Sequence, residues 1–542
     1  MNEPADKRAA PASRPLLLAL VTVTGASLLA LEVLSARVVG TYYGSSLYVW
    51  AAVLSVTLSC LAVGYAVGGR LADRVPHAWM LCLLVLLGGA SVLLTGPLRV
   101  VLAPLGQRLG LAWGALASIG VIFFLPLTLL AMAGPYVIRL LTRRVEGVGS
   151  ASGTVYAVST LGSVGGALAA GFWMIPTLGT RTSMLVLAGV LMALGAVGLA
   201  VLSRGRGAPL LLLAVAPALA GPPEAAAQGE LFHTESAYGD LRVIERTQPN
   251  RGAHRMLMVN GIMQTGMPLD IDLVSAGAIL QSDSYYLELL PYFHLDLADG
   301  RRGVLIGLAG GMFPRVMEFY TIDWTAVEID VKVAQLARDY FGYRGAVRRP
   351  DGTPYGPEPP PPAEDEAYAG RAIIQDGRQY LLAHPEPADF IVVDAYNSDT
   401  IPFHLITREF FEIVRDRLTD DGILAINYIG RPEGDSVTNS LFRTLAEVFG
   451  SDMLSAYRTR DDASEVQVII IFAFRRPMKL YPFWRQGGPG GGVDRLSYEL
   501  ARRRVETDRP GGAVITDDLN PIDLARAETA LAWRRQTAAL FE

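Results

Sequence analysis

The sequence predicts two folds in one chain: an α-helical transmembrane bundle of six or seven spans, then a doubly wound α/β Rossmann-like sheet preceded by a small β-hairpin module. Three observations predict this. The 542 residues are 51% hydrophobic and only 18% charged, which is unusual for a soluble protein. The charges are uneven, with 14 basic and 5 acidic residues in 1–220 against 33 and 47 in the remainder. The second part alternates short apolar strands with helices.

Six stretches of the first part reach the roughly 20 apolar residues that a helix needs to cross a bilayer. They are about 15–36, 46–69, 78–98, 111–134, 153–176 and 183–203. A shorter apolar run, 209–221, contains Pro217 and is compatible with a short seventh span, a re-entrant piece or an interfacial segment. The first run is long and is followed by further spans, which argues against a cleaved signal peptide.

The basic residues of the short loops predict an N-terminus inside the cell. Ten of them then lie on the inner side and four on the outer side. Six spans would leave the second part in the cytoplasm, whereas a seventh would place it outside. We expect a multi-pass cell-membrane protein with a cytoplasmic soluble domain, because the cofactors considered below are made in the cytoplasm.

Composition excludes several classes of partner and site. The acidic second part argues against nucleic acid as a partner. The only cysteines, Cys60 and Cys82, lie inside apolar runs, so neither a disulfide framework nor a cysteine metal site is available. The lipid bilayer is the one partner that the first part requires.

From residue 302 the pattern is strand, Gly-rich turn and helix, repeated. The predicted strands are 304–307, 325–330, 371–376, 388–394, 422–428 and 466–474, and the helices are 313–320, 331–341 and 407–418. Such alternation is typical of a mostly parallel sheet with right-handed crossovers. We expect four regions: transmembrane spans in 1–221, a β module with an Asn-Gly turn in 229–275, the Rossmann-like domain in 276–480, and a flexible link with a helical tail in 481–542.

The ends of the predicted strands carry the residue types that a nucleoside site needs. Glycines in the turn after the first strand allow close backbone approach, and an acid after the second strand can accept hydrogen bonds from ribose hydroxyls. These positions are filled by Gly307, Gly310, Gly311 and Glu328. Asp376-Gly377 ends the third strand and Asp394 the fourth. Each acid alone could instead be a helix N-cap or a turn residue.

At about 231–475 the sequence resembles the spermidine synthase (polyamine aminopropyltransferase) family. The motifs that carry the resemblance occur in family order: Ser236-Ala-Tyr-Gly239, Val259-Asn-Gly-Ile-Met-Gln264, Tyr286-Leu-Glu288, the Gly-rich turn, Val327-Glu-Ile-Asp330, Gln375-Asp-Gly377 and Val393-Asp394. The multi-span first part, together with 401–409 and 516–521, resembles the membrane-fused branch of that family.

The resemblance implies a methyltransferase-type Rossmann domain that transfers an aminopropyl group from decarboxylated S-adenosylmethionine to putrescine or a related polyamine, without a metal. It implies Asp394 as the catalytic base. It implies a nucleoside pocket formed by Gln264, Gly307, Gly310, Gly311, Glu328, Asp376, Gly377 and Pro402, and an amine side that includes Tyr286, Glu288, Tyr396 and Asp399. Soluble members of the family commonly form dimers, so a homodimer is one implied assembly.

Departures from the family pattern fall on the amine side. Ala309 stands where the family's turn carries an acid, Leu287 replaces a His, Gly239 replaces a Gln, and the second acid of the loop is displaced to Asp399. Loss of the acid makes ordinary S-adenosylmethionine more acceptable, since no anion repels its carboxylate. Two alternatives therefore remain open: a methyl or alkyl transferase that uses S-adenosylmethionine on a membrane-associated acceptor, and a non-enzymatic polyamine-binding transporter or sensor.

Overall fold

The computed structural model describes two compact units, one made of residues up to 226 with 234–239 and the other of the rest of the chain. The described residues are 14–43, 47–142, 147–202, 229–248, 252–269, 301–317, 322–356, 370–397, 400–478, 502–518, 529, 532–534 and 536.

The first unit is built mainly from helices. They are α1 (Arg14–Tyr43), α2 (Leu47–Arg74), α3 (Ala78–Leu93), α4 (Thr95–Leu98), α5 (Leu102–Ala131), α6 (Ala133–Leu141), α7 (Val148–Leu168) and α8 (Ile175–Leu202), with a π-helical stretch, Ala169–Met174, between the last two. Within the described residues, four stretches are long and apolar enough to cross a bilayer: Arg14–Gly40, Tyr48–Arg74, Ala112–Leu141 and Val148–Val201. The bent pair Ala78–Leu93 and Thr95–Gly106 makes a fifth if it is one span.

Six or seven spans therefore stay a prediction. The stretch Val148–Val201 is 54 residues long, about twice what one crossing needs. Its backbone leaves helical geometry at Gly179, where φ is 75° and ψ is 168°. The predicted fifth and sixth spans lie on either side of this break, and the apolar run 209–221 lies outside the described residues.

Helices α1 and α7 pack backbone to backbone. A Cβ atom built on Gly166 would lie 2.0 Å from the carbonyl oxygen of Ala26, and one built on Gly162 would lie 2.4 Å from that of Thr22. Side chains at these two positions would push the helices apart, so glycine is what allows the close approach.

The second unit begins with a four-stranded sheet in the order β1 (Glu230–Glu235), β2 (Asp240–Gln248), β3 (Gly252–Val259) and β4 (Ile262–Pro268). Strands β2, β3 and β4 are antiparallel neighbours. The turn between β3 and β4 has positive φ at both Asn260 and Gly261, at 50° and 76°, as a two-residue hairpin turn of type I′ requires.

The large sheet has nine strands in the order β13-β11-β12-β10-β9-β5-β6-β8-β7. The strands are β5 (Arg302–Ile306), β6 (Asp323–Glu328), β7 (Ala346–Arg348), β8 (Arg371–Ile374), β9 (Ala388–Val393), β10 (Leu418–Gly430), β11 (Leu454–Arg458), β12 (Gln467–Phe474) and β13 (Arg504–Val505). From β10 to β7 all pairings are parallel, whereas β12, β11 and β13 are added antiparallel. The predicted Rossmann-like α/β class is confirmed.

Helices cover both faces of this sheet. They are α9 (Met312–Met317), α10 (Val331–Phe341), α11 (Gly377–Ala383), α12 (Arg408–Arg417) and α13 (Ser436–Phe449). Val304 and Ile306 of β5 join the core that contains Phe410 of α12 and Leu441 of α13. Leu305 belongs to the core on the other face. A strand buried on both sides explains why the sequence of β5 is continuously apolar instead of alternating.

Residues 502–518, here called the C-terminal segment, pack against the same sheet. Strand β13 pairs with β11, and Ile515 is fully buried. The backbone N–H of Ile515 donates to Oγ1 of Thr444 at 2.9 Å, and its carbonyl accepts from the N–H of Arg408 at 2.7 Å. An extended, packed segment thus precedes the helical turns described at Thr529 and 532–534.

Candidate active site

Five neighbouring parallel strands, β8, β6, β5, β9 and β10, end at one edge of the large sheet. The last backbone pairs join Ile306 to Val327 and to Val393, so the residues just beyond the strands are neighbours. These residues include Gln375-Asp376 after β8, Gly307 after β5 and Asp394 after β9. Glu328 is itself the last residue of β6, and Asn427 lies within β10, one residue past its last pair with β9. Parallel sheets bind their ligands at this edge, and the predicted acids and glycines meet there.

The turn after β5 comes very close to the end of β9. Gly307 has a φ of +96°, and a Cβ built on it would lie 2.2 Å from the carbonyl oxygen of Asp394. Any side chain at this position would therefore displace the backbone that carries the Asp394 carboxylate. Ala309 also has a positive φ, +48°, in a region that residues with a Cβ occupy at a cost of about 1–2 kcal/mol. Strain of this kind is common in ligand-binding turns.

Glu328 is held at the end of β6 by backbone donors. Its Oε2 accepts from the N–H of Leu308 and its Oε1 from the N–H of Asp330, each at 3.0 Å. Burial raises the pKa of Glu328, and these backbone hydrogen bonds oppose the shift only in part. The carboxylate is fixed against the Gly-rich turn and retains lone pairs for further donors.

Asp394 and Asn427 lie on neighbouring strands, and their side chains are hydrogen-bonded. Nδ2 of Asn427 donates to Oδ1 of Asp394 at 2.7 Å, and the hydroxyl of Tyr396 donates to the carbonyl of Asn427 at 2.6 Å. Burial raises the pKa of Asp394 to about 7, although the Asn427 hydrogen bond lowers it. A carboxyl group that titrates near neutrality can accept and release a proton at physiological pH.

Asp376 is the N-cap of α11 and also pairs with a histidine. Its Oδ1 accepts from the N–H of Gln379 at 2.9 Å, and its Oδ2 lies 2.7 Å from Nε2 of His404. The N-cap alternative considered from sequence is therefore real. It does not exclude a ligand, because each carboxylate oxygen keeps a second lone pair. Gly377 packs tightly, since its Cβ would lie 2.3 Å from Ile306.

The small sheet reaches the Gly-rich turn through β4. The N–H of Gly310 donates to Oγ1 of Thr265 at 2.9 Å. Gln264, the residue before Thr265, is the extra residue of a β-bulge, because β3 pairs with Met263 and then with Thr265. Bulges re-aim side chains. Pro402 precedes a short 3-10 helix, Phe403–Leu405, which carries His404.

Three predicted amine-side residues, Tyr286, Glu288 and Asp399, lie outside the described residues. The sequence analysis missed Asn427 and His404. Asn427 could have been found, because it is the polar residue of the fifth predicted strand and shares the edge with Asp394. His404 lies within the 401–409 stretch that carries part of the resemblance, but nothing in that stretch indicates that it contacts Asp376. Among the described residues, no three His, Cys, Asp or Glu side chains cluster in a way that could hold a metal ion.

Residues 284–460 match the spermine/spermidine synthase domain family. This part of the chain is similar to the spermine/spermidine synthase domain. A probable polyamine aminopropyl transferase of Bifidobacterium longum is 33% identical over 159 residues, which are 29% of this chain and 30% of the relative. An N-terminal histidine N-methyltransferase of Emericella nidulans is 33% identical over 150 residues, 28% of this chain and 24% of the relative.

The alignments thus span less than a third of the length of either relative. Among solved structures, spermidine synthase of Thermotoga maritima aligns with a TM-score of 0.32 and 17% identity, covering 46% of this chain and 73% of that chain. The matched residues 284–460 include Glu328, Asp376 and Asp394, so the polar strand ends described above belong to the matched region.

Proposed function

We propose that the protein is a membrane-anchored aminopropyltransferase that acts on putrescine or a related polyamine. Decarboxylated S-adenosylmethionine supplies the aminopropyl group as a co-substrate. A carbon–nitrogen bond to the amine forms, the carbon–sulfur bond of the sulfonium breaks with its electron pair going to sulfur, and methylthioadenosine leaves. The amine must first lose a proton, because an ammonium has no free lone pair.

The observation that carries this proposal is the raised pKa of the buried Asp394 carboxyl, which lies within the matched residues 284–460. Burial raises its pKa to about 7, which suits a base that takes a proton from an amine near neutral pH. Asn427 donates to Oδ1 of Asp394, leaving Oδ2 to receive the proton. We assign Glu328 to the ribose and Asp376 to the adenine. The remaining catalysis is positioning of two bound reactants.

Gln264, Pro402 and the glycines Gly307, Gly310, Gly311 and Gly377 are proposed to line the nucleoside pocket. Tyr396, together with Tyr286, Glu288 and Asp399, is proposed for the amine side. Tyr396 has a defined position, because its hydroxyl is hydrogen-bonded to the carbonyl of Asn427.

The test is product analysis with detergent-purified protein. Decarboxylated S-adenosylmethionine and putrescine should give methylthioadenosine and spermidine, and Asp394→Asn should reduce the rate at least about 100-fold. Asp389→Asn is the matched control, since Asp389 lies at the opposite end of the same strand, where it accepts from the N–H of Arg302 at 2.9 Å. An active Asp394→Asn protein would refute the assignment of the base.

A second candidate function is transfer from ordinary S-adenosylmethionine to a membrane-associated acceptor. Ala309 favours it, because the described turn contains no carboxylate that would repel the carboxylate of that cofactor. Release of S-adenosylhomocysteine in the presence of a membrane extract, without methylthioadenosine from the decarboxylated form, would replace the first proposal by the second.

We also propose that the synthase domain faces the cytoplasm, where the proposed co-substrate is made; with the N-terminus inside, this requires an even number of spans. Cys60 and Cys82 are both buried, so a single new thiol can report the side of the membrane. Glu465 is exposed, and Glu465→Cys should react with a membrane-impermeant maleimide only after the cells are opened. Labelling of intact cells would place the domain outside.

A further inference from the structure

We propose that His404 is a positioning residue that fixes the Asp376 carboxylate for an adenine amino group, and that the C-terminal segment holds His404 in place through Arg378 and Asp517. This inference rests on the proposed function, because it concerns the adenine end of the same nucleoside pocket. It adds His404, in the 3-10 helix, as a residue that determines specificity for the base. It also assigns the support of His404 to Arg378 of α11 and Asp517 of the C-terminal segment.

The Asp376 carboxylate has a defined orientation because it is held at both oxygens. The Gln379 N–H binds Oδ1 at 2.9 Å, and His404 Nε2 binds Oδ2 at 2.7 Å. Burial raises the pKa of Asp376, but the hydrogen bond from His404 and those from backbone N–H groups outweigh it, so the pKa lies below its usual value. The ionised carboxylate accepts only, which matches the donor character of an exocyclic amine.

One contact from α11 holds His404, and a contact from the C-terminal segment holds the arginine that makes it. Nη1 of Arg378 donates to the carbonyl of His404 at 3.3 Å. The same guanidinium binds both carboxylate oxygens of Asp517, at 2.7 and 2.6 Å. A two-point arginine–carboxylate pair fixes the plane of the guanidinium as well as its position. The backbone N–H of Asp517 in turn donates to Oε2 of Glu409 at 3.0 Å.

The expected consequence is discrimination between bases. Adenine offers an amino group to Asp376, whereas hypoxanthine offers a carbonyl oxygen, which an ionised carboxylate repels. We expect wild-type protein to bind 5′-methylthioadenosine about 100-fold more tightly than 5′-methylthioinosine. In His404→Ala the Asp376 carboxylate can rotate. The ratio of the affinities for methylthioadenosine and methylthioinosine should then fall about tenfold, mainly through weaker binding of methylthioadenosine. His404→Gln keeps a donor and should restore most of the ratio.

Asp517→Asn tests the support, because it removes the charge of the two-point pair at a side chain that is 40% exposed. Its ratio should fall about threefold. Asp518→Asn, the same change at the exposed neighbouring residue, is the matched control and should leave the ratio unchanged.

Calorimetric titration of the full-length protein with the two nucleosides measures the ratio without requiring turnover. An unchanged ratio in both His404→Ala and Asp517→Asn, with methylthioadenosine still bound, would overturn this inference alone. Failure of the wild-type protein to bind methylthioadenosine would overturn the proposed function, and this inference with it.

Discussion

Nδ2 of Asn427 lies 2.7 Å from Oδ1 of Asp394, so an amide within β10, one residue past its last pair with β9, donates to the proposed base just after β9. The hydrogen bond favours the ionised carboxylate and lowers its pKa, which burial alone would raise further. Asn427 therefore sets how close to neutrality Asp394 titrates.

The first prediction concerns the pH dependence of catalysis. Because the base acts when ionised, kcat/KM should rise with pH through about 7 in the wild-type protein. Asn427→Leu removes the donor and should move this rising limb upward by about one pH unit. Asn427→Asp adds a like charge and should move it further. Initial rates between pH 5.5 and 9 measure the pH range over which kcat/KM rises. If that range were the same as in wild type in both variants, the role of Asn427 would be contradicted.

The second prediction concerns stability. The pKa of Asp394 is raised from 3.8 to about 7 in the folded protein, so the folded state binds this proton more tightly than the unfolded state. Its stabilising contribution is complete below about pH 4 and is lost as the pH rises towards 7. Asp394→Asn has no carboxyl group to titrate at this position, so it does not lose this stability as the pH rises. The variant should gain on the order of 4 kcal/mol over wild type between pH 4 and pH 8.

Thermal unfolding of both proteins in the same detergent, at several pH values, measures this difference. A difference between the two proteins that does not change with pH would show that Asp394 titrates in the folded protein as it does in the unfolded chain.

The third prediction concerns Ala309. Ala309→Asp places a carboxylate in the Gly-rich turn, where it should attract the free ammonium of decarboxylated S-adenosylmethionine and repel the carboxylate of the ordinary form. We expect the affinity ratio between the two cofactors to rise about tenfold or more. Ala309→Asn is the neutral control, and both side chains tolerate the positive φ of this position. Equal ratios in the two variants would show that residue 309 does not meet that end of the cofactor.

The fourth prediction tests the packing of α1 against α7 in the first unit. Gly166→Ala places a methyl group against the backbone of Ala26 and should destabilise the protein by about 1–3 kcal/mol. Gly165→Ala is the matched control, because a Cβ built there meets nothing within 4 Å and alanine favours a helix. Unfolding midpoints in detergent compare the two. Equal midpoints would mean that α1 and α7 are less closely packed than described.

The sequence predicts the parallel sheet and its polar edge well, for a physical reason. Buried parallel strands are continuously apolar and end abruptly, so Glu328 and Asp394 are found by where the apolar runs stop. The helix Val331–Phe341 has the predicted bounds because Asp330 caps its start and Gly342, with a φ of 72°, ends it.

Other features have no local signal. Strands β7 and β13 are three and two residues long, too short for periodicity to be visible. His404 acts on a residue 28 positions earlier, and Asp517 pairs with one 139 positions earlier. Such pairs depend on the topology of the sheet, which brings distant parts of the chain together, and residue type alone does not predict them.

Pairing across these long sequence separations also affects when the site can form during biosynthesis. The central strand β5 is bordered by β9, more than 80 residues later, and Asp517, the proposed support of the adenine end, pairs with Arg378, 139 residues earlier. Distant pairings slow folding, since long loops must close before their contacts stabilise the structure. The proposed nucleoside site can therefore be completed only after Asp517 has been synthesised, when the N-terminal helices have already left the ribosome.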